Sequence, residues 1–189
     1  MLNKDMSNNW HGFIEVLEIN HIRNNKIIWQ DFNLKNILHQ QGELYFLQIL
    51  FANGQTDAFD NINTVPPYYY FGLDNRTTIS ISDTLASISG EPTTNNYLRQ
   101  VANSTTDWNF TTNSNGDNQA KSPILTFGAY GGSWGPVCNL FLTMQPQITT
   151  NANGYLISSI YLNNSITVVD GDSISMRMSS TLSNVNLSS

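Results

Sequence analysis

The chain alternates short apolar runs with turns rich in asparagine, serine and glycine, and most of these runs have the two-residue period of strands. The first pair is Trp10–Asn20 and Lys26–Gln30, separated by His21-Ile22-Arg23-Asn24-Asn25, which predicts a β-hairpin with an asparagine turn. Leu34–Phe51 breaks the pattern. Leu34, Ile37, Leu38, Gln41, Leu44, Tyr45, Leu47 and Leu50 recur at broadly helical spacing and predict one α-helix near residues 34–52. Asn33 is its expected cap, Gly42 a weak point in its middle, and Asn53-Gly54 its end. Tyr68–Leu73 is strongly β-prone. Ile79–Ile81 reads as a short extended piece, Asp83–Ile88 as either a capped turn or more strand, and Tyr97–Val101 as a further strand. Ala102–Ser122 is almost wholly polar around Trp108-Asn109-Phe110, and predicts a long surface loop with one short strand. Four strand signals close the chain: Pro123–Phe127, Pro136–Met144, Tyr155–Leu162 with Ile166–Val169, and Ser173–Met178. Many strands at roughly ten-residue spacing predict a mainly β fold, an antiparallel β-sandwich or jelly-roll-like single domain spanning 1–189, with residues 1–9 as an N-terminal arm.

Composition changes this picture mainly at the surface. Apolar residues make up 40% of the 189, enough for a core that needs neither disulfide nor metal. Charged residues are only 12%, about half the usual share, and Asn, Gln, Ser and Thr stand in their place. A polar, weakly charged exterior suits dense packing with other molecules, and it also follows from codon usage in an AT-rich genome. The net charge of -6 argues against direct nucleic-acid binding. The polar start of the chain and the lack of a ~20-residue apolar run predict a soluble product without a membrane span.

Candidate chemistry is sparse. Phosphate loops, dinucleotide fingerprints, nucleophile elbows and paired zinc ligands are missing by pattern, so no catalytic residue, metal or cofactor is assigned. Cys138 lies in an apolar run and reads as a buried small residue. His11, His21 and His39 are scattered rather than spaced as ligands. Asp74, Asp83 and Glu91 could supply a carboxylate pair for glycoside hydrolysis, but turn and cap positions already account for them. Asp170-Gly171-Asp172 reads as a turn between strands. Aromatic rings favour interfaces, which makes Trp134, Tyr130 and Trp108 the candidate partner-contact residues, Trp134 foremost because glycines flank it. Strand alternation sends Tyr68 and Tyr70 to one face and Tyr69 to the other.

Several segments in order carry a resemblance: Trp10-His11-Gly12-Phe13, Asn36-Ile37-Leu38, Tyr70-Phe71-Gly72-Leu73-Asp74, Ser82-Asp83-Thr84-Leu85, Glu91-Pro92, Tyr97-Leu98-Arg99 and Val169-Asp170-Gly171-Asp172-Ser173-Ile174. Together they resemble small structural proteins of tailed-bacteriophage virions, the capsid cement or decoration proteins and tail-fibre-like proteins. The resemblance implies a non-enzymatic virion component, made in the bacterial host cytoplasm. Its partners would be the major capsid protein or other virion subunits, and a homo-oligomer, a trimer foremost, would suit local three-fold points. It further implies structural ion pairs in which Asp83 and Glu91 serve Arg76 or Arg99. A head- or tail-fibre component binding host glycan is the alternative.

Overall fold

The computed structural model describes residues 12–57 and 63–182, so the expected arm at 1–9, Trp10 and His11 lie outside the described residues. Strands β1 (Gly12–Arg23) and β2 (Lys26–Leu38) form the expected hairpin. Its two-residue turn places Asn24 and Asn25 at φ 51° and 60°, the left-handed pair that a tight hairpin needs and that asparagine tolerates. A bulge at Leu17 against the last strand, between the Val16–Met178 and Glu18–Arg177 pairs, lets Ile14, Val16 and Ile19 all face inward.

Here the structure corrects the helix start. Leu34–Leu38 is the second half of β2, not the first turns of a helix, and Asn33 caps nothing but sits within the strand at φ 54°. Leu34 pairs with Val16, and Asn36–Leu38 pairs with Ile160–Ser158, so ladder bonds to distant segments outweigh the local helical spacing. Helix α1 runs only from Gln40 to Phe51, with His39 at its cap position and Gly54 at φ 82° just beyond its end. Gly42 is required by packing. A Cβ there would strike the backbone of Ile157, on which the helix lies.

The remaining strands are β3 (Tyr68–Asp74), β4 (Gln100–Asn103), β5 (Asn109–Thr112), β6 (Asn118–Lys121), β7 (Leu125–Gly128), β8 (Gly135–Thr143), β9 (Leu156–Val168) and β10 (Ser173–Leu182). The polar stretch 102–122 therefore holds the end of β4 and a β5–β6 hairpin, more than the single short strand expected. Its Asn113 side chain builds the connecting turn by accepting from the Asn115 and Asp117 amides. Ile79–Ile81 joins no strand, residues 97–99 precede β4, and Leu85–Ser87 forms a 3-10 turn capped by Thr84 and Ser87 in place of Asp83.

All strand pairs are antiparallel, and the sheet runs β4-β3-β8-β9-β2-β1-β10-β6-β5, with β7 also beside β10. The molecule is mainly β, and the described residues hold one α-helix and one curled sheet. β2 joins its halves: Lys26–Lys35 pairs with β1 and Asn36–Leu38 with β9. The curl brings both halves around one core, in which Val16 and Ile19 share a cluster with Phe71, Leu73, Leu140, Ile160, Phe127 and Ile174.

Candidate interaction surface

Most of the reactive side chains are committed to locks that fix the loops. Arg99 donates from Nε and Nη2 to both oxygens of Glu91 at 2.7 and 2.6 Å, with both side chains 1% exposed. Its remaining donors reach the Gln145 carbonyl and the Asn151 side chain, and the guanidinium lies 5.0 Å from the Phe141 ring centre. The Tyr97 hydroxyl donates to Glu91 and accepts from the Leu73 amide, and burial pushes its ionisation far above the usual tyrosine range. One buried ion pair thus joins the loop before β4 to β3, to the turn after β8 and to Asn151 before β9. Arg76 bridges Asp74 at 2.9 Å and Asp83 at 3.1 Å. All three carboxylates considered for glycoside hydrolysis are therefore held by arginines.

Asp172 closes the β9–β10 turn. It accepts from Arg23 at 2.7 and 2.8 Å, from the Val169 amide, and shares a hydrogen bond with His21; the arginine holds its carboxyl well below the usual range. His39 Nε2 lies 2.8 Å from the Ser159 hydroxyl. That spacing suits nucleophilic catalysis, but the two residues are 0% and 1% exposed, so the hydroxyl is sealed from any substrate. Cys138 is also buried, and burial raises its thiol away from reactivity. Among the described residues no three His, Cys, Asp or Glu side chains gather as metal ligands, and no helix is long and apolar enough to cross a membrane.

His39 supports a pH prediction. Burial lowers its pKa, against the opposing pull of Asp83, so the fold disfavours the charged imidazole. The unfolded chain takes up this proton around pH 6.5, and the folded state only at lower pH. Stability is accordingly full above that pH and is lost as the pH falls through the folded value. Urea midpoints for the full chain are expected to drop between about pH 7.5 and about pH 5.5, and the drop should shrink in His39→Gln. An unchanged pH slope in the variant would show that His39 is not the group responsible.

The structure separates the three aromatic candidates. Trp134, foremost of the three in the sequence, is buried instead of displayed: it is 5% exposed, its indole N–H donates to the Asn95 carbonyl, and its ring meets Tyr97 edge-on at 5.4 Å. The flanking glycines serve the turn, with Gly131, Gly132 and Gly135 all at positive φ. Tyr130 is 64% exposed on the same turn. Trp108 is half-buried, edge-on to Tyr69 at 5.9 Å, and forms one wall of a cavity of about 230 Å3. The cavity opens between the two halves of the sheet, among Ile14, Phe46, Val65, Phe110 and Leu142, and its lining is overwhelmingly apolar.

The helix that contributes Phe46 to this cavity carries a feature that sequence reasoning missed. Leu44, Leu47, Leu50 and Phe51 of α1 are exposed, Phe51 at 80%, and Val65 and Phe110 of the cavity rim are also exposed. Only Gly42 and Tyr45 of the helix are buried. A signal was present: Leu44–Phe51 carries apolar side chains all around the helix, whereas a helix lying on a sheet with its outer face in water needs only one apolar stripe. Single exposed apolar residues are ordinary, but a contiguous group beside an apolar cavity marks an interaction surface. No protein-family profile, curated protein or solved structure matches the chain.

Proposed function

We propose that this chain is a non-enzymatic assembly subunit, a structural protein of a tailed-bacteriophage virion of the capsid decoration or cement kind. The observation that carries the binding reading is the exposed apolar surface of α1, at Leu44, Leu47, Leu50 and Phe51, and the adjoining cavity. The virion assignment comes from the order of segments from Trp10 to Ile174 that resemble such proteins. The locks on Arg99, Arg76 and Asp172 support it further, because a loop held by ion pairs to buried carboxylates presents one shape to a partner and loses little freedom on binding. A cement subunit works by repetition: it binds between capsomers, each contact adds interface area, and many modest contacts reinforce the shell against the pressure of packaged DNA.

Quantitative mass spectrometry of purified virions tests this reading. Cement protein is expected in hundreds of copies per particle. Tens of copies would assign the chain to a head or tail fibre, with the exposed Tyr130 as the first residue to test for glycan contact. Absence from the particle would remove both virion readings.

A further inference from the structure

The apolar face carries a projection and a recess side by side. Leu50 and Phe51, 69% and 80% exposed, project from the last turn of α1, while Phe46 on the preceding turn lines the cavity. Phe110, 76% exposed, stands on the other side of the opening. We infer that two copies of this chain pair through this face about a two-fold axis, the Leu50–Phe51 end of each helix entering the cavity of the other.

Three observations select a second copy as the occupant. The first is symmetry. A projection and a recess that share one face satisfy each other when the partner is turned by a two-fold rotation, whereas a ring of three or more would need them on separate faces. The second is area. Leu44, Leu47, Leu50, Phe51, Val65 and Phe110 are between 48% and 80% exposed. At the size of large apolar side chains they offer on the order of 600 Å2, and a stable interface takes ~800 Å2 from each partner. Phe46, also exposed and on the cavity wall, extends the same region toward that figure. The third is charge. The whole chain carries -6, yet α1 holds a single charged residue, Glu43 in its first turn, and the cavity lining holds none. Two acidic copies can meet here without opposing their carboxylates, while a partner recruited by charge would find nothing to read. The pairing does not rest on the virion reading, since mass in solution decides the one and particle composition the other.

Sedimentation velocity of the full chain across a concentration series is the test. The expected species is a dimer with twice the 21.2 kDa chain mass. Leu50→Glu and Phe51→Glu place charges at exposed positions, so circular dichroism should stay unchanged while the dissociation constant rises on the order of 30-fold or more. Ile28→Glu, at the opposite end of the β1–β2 hairpin from Ile14, is the control and should leave the dimer intact. A monomer at every concentration overturns the inference and leaves the face to another segment of the chain or to a different protein. A trimer overturns the two-fold geometry. A dimer indifferent to both glutamates overturns the placement of the interface.

Discussion

Replacing Arg99 by methionine is expected to lower the free energy of unfolding by about 3–5 kcal/mol, read as a fall in the urea midpoint at constant slope. The size follows from what is left behind. The Glu91 carboxyl group is left at a site 1% exposed, with neither Arg99 donor to balance it, and the Gln145 carbonyl and Asn151 side chain each lose a donor. Glu91→Gln should cost a similar amount, because it leaves the equally buried Arg99 guanidinium without its counter-charge and turns an amide N–H toward one of its donors. The informative variant is the double replacement Arg99→Met with Glu91→Leu. A buried ion pair exchanged whole for apolar groups is often neutral, so the double variant should recover most of the loss. Recovery would show that breaking the pair is costly although the pair adds little net stability. A double variant as weak as the single one would mean that the hydrogen bonds to Gln145 and Asn151 hold the loops.

The second large effect has a sign opposite to the one helix propensity indicates. Alanine in place of glycine inside a helix ordinarily stabilises by about 1 kcal/mol. Gly42→Ala should instead destabilise by about 1–3 kcal/mol, because the added methyl meets the carbonyl, carbonyl carbon and Cα of Ile157. These are backbone atoms of a strand paired on both sides, with β8 and with β2, and cannot turn aside as a flexible side chain would. To accept the methyl, α1 must lift from β9, which would also loosen Tyr45 from its contact with Tyr155 at 5.4 Å. Thermal unfolding at fixed protein concentration checks it. A rise in the midpoint would mean that the helix lies farther from the sheet than described.

Gly42 shows why one residue can be read in two ways. In the sequence it is a weak helix position, and nothing within five residues on either side reveals Ile157. The same limit explains the helix start. Leu34, Ile37 and Leu38 fit a helical period, and only the arrival of Val16 on one side and of Ser158–Ile160 on the other makes them strand. Trp134 drew attention through its glycine neighbours, which allow either an exposed tip or a tight turn folded over a core; Asn95 and Tyr97 decide for burial. The carboxylates follow the same logic. Asp83 and Glu91 were legible as partners for arginine, but that Asp83 takes Arg76 and Glu91 takes Arg99 depends on where β3 and the 83–99 loops come to lie.

What the chain determines by itself is local. Alternation of apolar and polar residues, Asn24-Asn25 at the first turn, Asp170-Gly171 at the last and the periodic run ending at Asn53-Gly54 are enough to specify a mainly β protein with one helix, because dihedral preferences and face alternation act within a few residues. The tertiary structure alone decides the continuity of the curled sheet through β2, the partner of each buried charge and the exposed outer face of α1. Those outcomes depend on pairings between segments as far apart as Gly12 and Leu182, and burial belongs to the contact and not to the residue.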